Sequence, residues 1–245
     1  MTDTHHVALV TGAGSGIGEA TARLLAQRDT AVLLTGRHLE PLQRIAADIT
    51  AKGGQALAVQ ADTARPDDMA HAVDQAVSHF GKLDQAVNNA SVASTPRLLH
   101  EVTPEEWDTV LSIDLSGVFY AMRAEIPAIL AAGGGSIVNV SSVFADRALT
   151  VDYSAAKHGI RGLTRSAAQQ YGPLGIRVNE LQPGVVWTDL TRAHPEGTQS
   201  VADRGIPLKR IGEPDEIAAA IAFLLSDDAR YVTAAHLAVD GGFLA

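Results

Sequence analysis

Thr11-Gly12-Ala13-Gly14-Ser15-Gly16-Ile17-Gly18 stands between a short apolar run, Val7–Val10, and an amphipathic stretch, Glu19–Gln27. A glycine-rich segment carries meaning only in such a strand–turn–helix setting. Here Gly12 permits a tight turn, Gly16 lets backbone approach a pyrophosphate, and Gly18 lets the helix pack on the sheet. The helix N-terminus adds free N–H groups and the positive end of its dipole. The segment reads as a cradle for the phosphates of a nucleotide.

The same alternation continues outward from it. Ala31–Thr35, Ala56–Val59, Leu83–Val87, Ser136–Val140, Ile176–Leu181 and His236–Val239 read as further strands. The early ones are short, apolar and bounded by glycine, polar residues or turns, as strands covered on both faces are. Helical patterns run over Pro66–Phe80, Pro104–Leu130, Tyr153–Tyr171 and Pro214–Leu225. In Pro66–Phe80 the residues Met69, Val73, Ala76, Val77 and Phe80 share one stripe, with Pro66 at the start and Gly81 past the end. Strand–helix alternation predicts an α/β fold, a Rossmann-type doubly wound parallel sheet of about seven strands. No repeat, linker or low-complexity tract interrupts it. Residues 1–245 are expected to form a single dinucleotide-binding and catalytic domain.

Composition narrows the function. The 245 residues carry a formal net charge of −9, which argues against a surface that tracks nucleic-acid phosphates. The chain has no cysteine, so disulfides, thiolate metal sites and cysteine nucleophiles are excluded, and no metal is called for. No apolar run approaches ~18 residues and Met1–His6 is polar, so neither a membrane span nor a signal peptide is expected. His5-His6 is too short for a metal-binding tract. The expected location is the cytoplasm.

A second segment supplies chemistry. Tyr153-Ser154-Ala155-Ala156-Lys157 sets a phenol and an ammonium four residues apart, on one face of a helix. A free tyrosine has a pKa of ~10 and is a poor base at neutral pH. A nearby ammonium favours the phenolate. A nucleotide cradle joined to such a tyrosine suits hydride and proton transfer at a carbonyl.

Together these segments resemble the short-chain dehydrogenase/reductase family in its form of ~250 residues. The glycine spacing is that family's T-G-x-x-x-G-x-G. Further matches follow in order along nearly the whole chain: Asp62 after the third strand, Asn88-Asn89-Ala90-Ser91 for N-N-A-G, Pro183-Gly184-Val185-Val186-Trp187-Thr188 for P-G-x-x-x-T, and Val239-Asp240-Gly241-Gly242 for V-D-G-G. The resemblance implies that Tyr153 is the general acid/base. It gives Lys157 the task of lowering the pKa of Tyr153 and holding the ribose hydroxyls. It makes Ser142, within Ser141-Ser142, a donor to the substrate oxygen. It also implies cofactor contacts from Gly12, Ser15, Gly16, Ile17, Gly18, Asp62, Thr63, Asn89, Ala90, Pro183, Gly184, Val186 and Thr188. A two-fold symmetric homotetramer is implied as well, and the small residues Ala155, Ala156, Gly159, Gly162, Ala167 and Ala168 on the Tyr153–Tyr171 helix would suit close helix pairing between subunits.

Three residues depart from the family pattern. Asp114, in Ile113-Asp114-Leu115-Ser116-Gly117, stands where the family has a catalytic asparagine that bends its helix and holds a relay water. An aspartate can accept the same hydrogen bonds but adds a charge that can pair with Lys157. Ser91 replaces the glycine of N-N-A-G, and Ala234 stands where glycine is frequent.

Cofactor choice rests on Thr35-Gly36-Arg37-His38. NAD-preferring members end this strand with an acid for the ribose 2′-hydroxyl. Here Gly36 occupies that position and Arg37 follows, a side chain able to pair with a 2′-phosphate. NADP is therefore favoured over NAD, although Ser15 leaves out the second basic residue of some NADP-preferring members.

The expected partner is a small-molecule alcohol or carbonyl substrate, with Trp187, Phe144 and Leu149 as apolar wall and Arg147 or His194 facing a polar group. The Asp189–Gly205 lid is polar. Ala128–Gly135 and Gln169–Ile176 lack lysine and arginine, which argues mildly against docking an acidic acyl carrier for 3-oxoacyl-thioester reduction. A non-catalytic dinucleotide sensor on the same fold is the other alternative.

Overall fold

Seven parallel strands form one sheet in the order β3-β2-β1-β4-β5-β6-β7. The computed structural model describes residues 6–148, 150–192 and 195–245. The polar start, up to His5, lies outside them. The strands are β1 (His6–Thr11), β2 (Thr30–Gly36), β3 (Ala56–Gln60), β4 (Gln85–Asn88), β5 (Gly135–Val140), β6 (Ile176–Pro183) and β7 (His236–Val239). The order reverses between β1 and β4, and that reversal opens a crevice at the carboxyl ends of the strands.

Alternation along each strand feeds two apolar layers. Val7 and Leu9 of β1 point to one face, where α3 (Pro66–Phe80), α5 (Gly117–Ala131) and α6 (Val151–Tyr171) contribute Met69, Ile126, Ile129 and Ile160. Ala8 and Val10 point to the other, against Leu25, Ile45 and Ile221 from α1 (Gly16–Gln27), α2 (Leu39–Ala51) and α9 (Pro214–Leu225).

Helix α2 goes beyond the sequence reading. Its buried stripe is Leu42, Ile45 and Ile49, at helical spacing. The stretch Pro104–Leu130 is corrected as well. It is not one α-helix but α4 (Pro104–Leu111) and α5, joined by a π turn at Ser112–Ser116. The wider turn carries Asp114, fully buried, into the protein. Such turns gather at functional sites. The lid consists of α7 (Asp189–Arg192) and α8 (Pro195–Gly205). Ala234 adopts φ 58°, the left-handed region in which glycine is unstrained.

Candidate active site

A cleft of about 790 Å³ runs across the carboxyl ends of β1, β2, β3 and β4. Its floor is the glycine turn. Gly12 and Gly16 have φ of 64° and 55°, conformations that side chains resist. Gly18 has a different role: a Cβ there would lie 2.2 Å from the Gly12 carbonyl oxygen and 2.7 Å from the Asn89 amide. Ser15 is the N-cap of α1, yet its side chain makes no capping bond, so the first-turn N–H groups are left to the cleft.

Asn89 holds this turn in place. Its Nδ2 donates to the carbonyls of Thr11 (3.1 Å) and Gly12 (3.3 Å), while the Thr11 hydroxyl accepts the N–H groups of Asn89 and Ala90. Gly12, Ser15, Gly16, Ile17, Arg37, Asp62, Thr63, Asn89, Ala90, Tyr153 and Thr188 all line the cleft. Thr188 reaches across it: its Cγ2 would be 3.3 Å from a Cβ on Gly16. Gly18, Lys157, Pro183, Gly184 and Val186 lie outside the lining, as do Asp114 and Ser142. Gly184 instead allows close approach to the Asp240 backbone, and Val186 is buried and bridges to Gly212.

Charge gathers at the end of the cleft where α6 passes the π turn. Lys157 is 1% exposed and its Nζ lies 5.1 Å from the centre of the Tyr153 ring. The same Nζ is 3.5 Å from Asp114 Oδ2. Burial acts to lower the Lys157 pKa, but the charges of Asp114, Tyr153 and Glu180 outweigh it and hold the pKa above the ordinary lysine value. Asp114 is itself anchored by Val92 N–H on Oδ1 (2.9 Å) and by the Ser91 hydroxyl on Oδ2 (2.8 Å). Leu115 packs where Gly159 of α6 lacks a side chain; a Cβ there would meet it at 2.8 Å.

Ser142 follows β5 on a turn tied to α6 from both sides. Ser141 Oγ donates to the Lys157 carbonyl (3.0 Å), and His158 Nδ1 bonds the Ala145 carbonyl (2.8 Å). The Ser142 hydroxyl accepts from Phe144 N–H at 3.2 Å, which leaves its own proton to donate. Beyond it Val143, Ile206, Ile211 and Phe243 form an apolar cluster against which Phe144 and Trp187 pack. Arg147 stacks 4.6 Å over the Phe243 ring. Leu149 and His194 lie outside the described residues.

Comparison with known proteins agrees with this geometry. A family model described as enoyl-(acyl carrier protein) reductase matches residues 12–244. Cyclohexanol dehydrogenase of Acinetobacter sp. (strain SE19) is 45% identical over 97% of this chain and 94% of its own. Cis-4-hydroxycyclohexanecarboxylate dehydrogenase of Sinomonas cyclohexanicum is 44% identical over 98% and 96%. The chain belongs to the short-chain dehydrogenase/reductase family. As a member it is an oxidoreductase of alcohol and carbonyl groups. A solved member, the blue fluorescent protein from a metagenomic library in complex with NADPH, superimposes with a TM-score of 0.92 at 35% identity, covering 100% of both chains.

Two residues of this short-chain dehydrogenase/reductase site escape the sequence reading. Arg44 lines the cleft beside Arg37, brought there by α2. It also stands 4.0 Å from Glu19. The Leu42, Ile45, Ile49 stripe was the available signal, since it sets Arg44 on the side away from the core. Asp152 is the other: buried next to Tyr153, it accepts the Ser94 hydroxyl and the Tyr153 N–H (2.8 Å), and so fixes the first turn of α6.

Proposed function

We propose that this protein is an NADP-preferring dehydrogenase/reductase that interconverts a small alicyclic secondary alcohol and its ketone. The observation that carries the reading is the buried Asp114–Lys157 pair set against the Tyr153 ring at the end of the cleft. The cradle fits a dinucleotide because its walls are backbone, and a Cβ on Gly18 would collide with them. Gly12, Ser15, Gly16 and Ile17 would hold the pyrophosphate, Asp62 and Thr63 the adenine end, and Asn89, Ala90, Lys157 and the Pro183–Thr188 loop, with Gly184 and Val186, the nicotinamide end. The bound cofactor supplies or accepts the hydride.

The chain's own residues handle the proton. Tyr153 takes it from the alcohol oxygen in oxidation and returns it in reduction. Lys157 favours the phenolate by its charge. Ser142 donates a hydrogen bond to the substrate oxygen, where negative charge grows in the transition state. Asp114 moderates the charge of Lys157. The apolar cluster around Phe144, Trp187 and Phe243 suits a hydrocarbon ring, in keeping with what the names of the two relatives say they oxidise. The segments Ala128–Gly135 and Gln169–Ile176 carry no lysine or arginine for an acidic acyl carrier, which keeps 3-oxoacyl-thioester reduction in second position.

Arg37 and Arg44 favour NADP at the mouth left open by Gly36. The same reading treats the chain as one catalytic domain, cytoplasmic, and assembled as a two-fold symmetric tetramer. Of the six small residues expected to pair between subunits, Ala155 and Gly162 are exposed on α6 and Gly162 has nothing within 4 Å of where its Cβ would stand, whereas Ala156, Ala167 and Ala168 are buried within the subunit and Gly159 packs against Leu115. Light scattering at micromolar concentration checks this; a monomeric mass would refute the assembly. No helix among the described residues is long and apolar enough to cross a membrane.

The decisive experiment follows nicotinamide absorbance with a panel of cyclic alcohols and ketones. Tyr153→Phe keeps the ring and removes the proton carrier. Activity is expected to fall at least ~10²-fold, the usual size of a general acid/base contribution, with cofactor affinity little changed. A Phe variant within a few-fold of the parent would sink the mechanism.

A further inference from the structure

Two departures from the family pattern, Ser91 and Asp114, touch each other. The Ser91 hydroxyl donates to Asp114 Oδ2 at 2.8 Å. Lys157 Nζ approaches that same oxygen at 3.5 Å. The other oxygen, Oδ1, is occupied by Val92 N–H at 2.9 Å. A neutral hydroxyl thus makes the shorter contact to Oδ2, and the ammonium the longer one. Asp114 is wholly buried, while Ser91 is exposed and lines the cleft.

The geometry is held from two sides. The π turn sets the height of Asp114, and Leu115 seats it against Gly159 of α6, the helix that carries Tyr153 and Lys157. The backbone that carries the carboxylate has little freedom to move. What remains adjustable is how its charge divides between Ser91 and Lys157. A hydrogen bond to a carboxylate stabilises and spreads its charge. In a buried site that redistribution acts on neighbours with little screening.

We infer that Ser91 is a positioning residue whose hydroxyl draws Asp114 away from Lys157 and thereby sets the pH range over which Tyr153 moves its proton. The inference rests on the oxidoreductase reading for its functional meaning. Its physical content, the coupling of Ser91 to Tyr153 through Asp114 and Lys157, stands apart from it. Loss of the hydroxyl frees Oδ2 to close on Lys157. A tighter ion pair leaves less positive field at Tyr153, so the phenolate forms at higher pH. Loss of the Asp114 charge acts in the opposite direction.

Other charges surround the group, and the variants leave them in place. Asp152 on α6 is bound to Ser94 and to the Tyr153 N–H. Glu180 on β6 adds to the field on Lys157 and pairs with Arg161 of α6 at 3.1 Å. Asp146, in the turn after β5, is held by Arg161 and Gln182. Glu125 of α5 is buried with a pKa pushed up to about 8, which leaves it largely neutral at neutral pH.

The test is a double-mutant cycle read in two ways. The first is the ultraviolet titration of tyrosinate in cofactor-free protein, with the matching Tyr153→Phe protein subtracted to isolate one of four tyrosines. The second is the pH profile of kcat/KM for oxidation of cyclohexanol with NADP. Ser91→Ala is expected to move the Tyr153 midpoint up by about half a unit, and Asp114→Asn to move it down by about one. Ser91→Thr keeps a hydroxyl and should restore the parent midpoint. In the Asp114→Asn background, Ser91→Ala should move nothing. An unmoved midpoint in Ser91→Ala, or the same displacement in both backgrounds, would overturn the inference and leave Ser91 a mere structural residue. The two readings fail separately. If the cycle behaves as expected while Tyr153→Phe keeps its activity, the coupling survives and the proposed function falls. If Tyr153→Phe is inactive and the cycle is flat, only the role of Ser91 falls.

Discussion

The two halves of the sheet are built from the same alternation and serve opposite ends. In the half made by β1, β2 and β3, the buried residues are apolar apart from the hydroxyls of Thr11, Thr30 and Thr35, and the cleft is floored by backbone at the strand ends. In the half made by β4, β5 and β6, polar side chains enter the interior. Asn88, Asn139, Glu125 and Thr164 form one connected group, and Asp114, Lys157 and Glu180 are buried close by. In the proposed reading, the first half recognises shape with carbonyls and N–H groups that no mutation of charge can alter. The second half holds charge away from water, where a change of one atom is felt at a distance. A phosphate needs fixed dipoles and a proton needs tunable ones, and the topology sets the two beside each other across the β1–β4 reversal.

The largest effect should come from filling space in the first half. Gly18→Ala puts a methyl where the Gly12 carbonyl lies 2.2 Å away, with the Asn89 amide at 2.7 Å. Neither neighbour is the free end of a flexible side chain, since Asn89 is tied to the turn by two hydrogen bonds. The turn must open, and both stability and cofactor affinity are expected to fall, each by about 3 kcal/mol or more, at the upper end for overpacked sites. Urea unfolding and NADPH titration measure them. A variant that binds NADPH as the parent does would show that shape in this half is softer than the comparison holds.

The contrast also explains what could be read in the chain. Shape in the first half is written as glycine spacing, so Gly12, Gly16 and Gly18 were legible along with the strands that frame them. The Tyr153–Lys157 pair was legible because four residues make one helical turn. Arg44 was not, because α2 was not drawn, although Leu42, Ile45 and Ile49 carried its period. The π turn was not drawn, although the resemblance implied a bend at the position of Asp114, because the apolar period of Pro104–Leu130 runs on through it and the wide turn is fixed only where Asp114 meets Val92 and Ser91. The two departures at Ser91 and Asp114 were each visible. That they contact each other depends on tertiary packing between segments 23 positions apart.

A second test removes charge from the second half without changing its shape. Burial, only partly offset by a bond from Asn88 Nδ2 at 3.1 Å, pushes Glu125 up to about 8. Its Oε1 and the Asn88 Oδ1 both lack partners. The sign follows from proton counting. Below the ordinary carboxylate range both folded and unfolded chains bind the proton. Between there and about 8 the unfolded chain releases it and the native one keeps it, so stability falls as pH rises. Glu125→Gln abolishes that dependence and gives Asn88 Oδ1 an amide donor. Its advantage over the parent should be small near about pH 5 and grow toward about pH 8, by at most about 1.4 kcal/mol for each pH unit. Urea unfolding at both pH values measures it. A constant difference would mean that Glu125 is ionised in the native state or reached by water.

The smallest of the three effects lies at the rim of the first half, where the comparison predicts that charge matters least. Arg37 is exposed at the end of β2, and its carbonyl, not its guanidinium, has a fixed partner in Gln60 Nε2 at 2.9 Å. The guanidinium is thus free to meet the 2′-phosphate of NADP, and Gly36 sets no acid against it. Solvent screens a contact of this kind, so Arg37→Ala is expected to weaken NADPH about tenfold, near 1.4 kcal/mol, while NADH changes little. Arg44 lines the same mouth but stands 4.0 Å from Glu19, which takes part of its charge. Arg44→Ala should therefore cost less than Arg37→Ala, and the double variant should leave the two cofactors nearly equal. Fluorescence titration with both cofactors decides it. A preference for NADPH that survives the double variant would mean that the backbone of this half, and not its rim, selects the phosphate. A preference for NADH in the parent would show that an open strand end is not enough to choose between them.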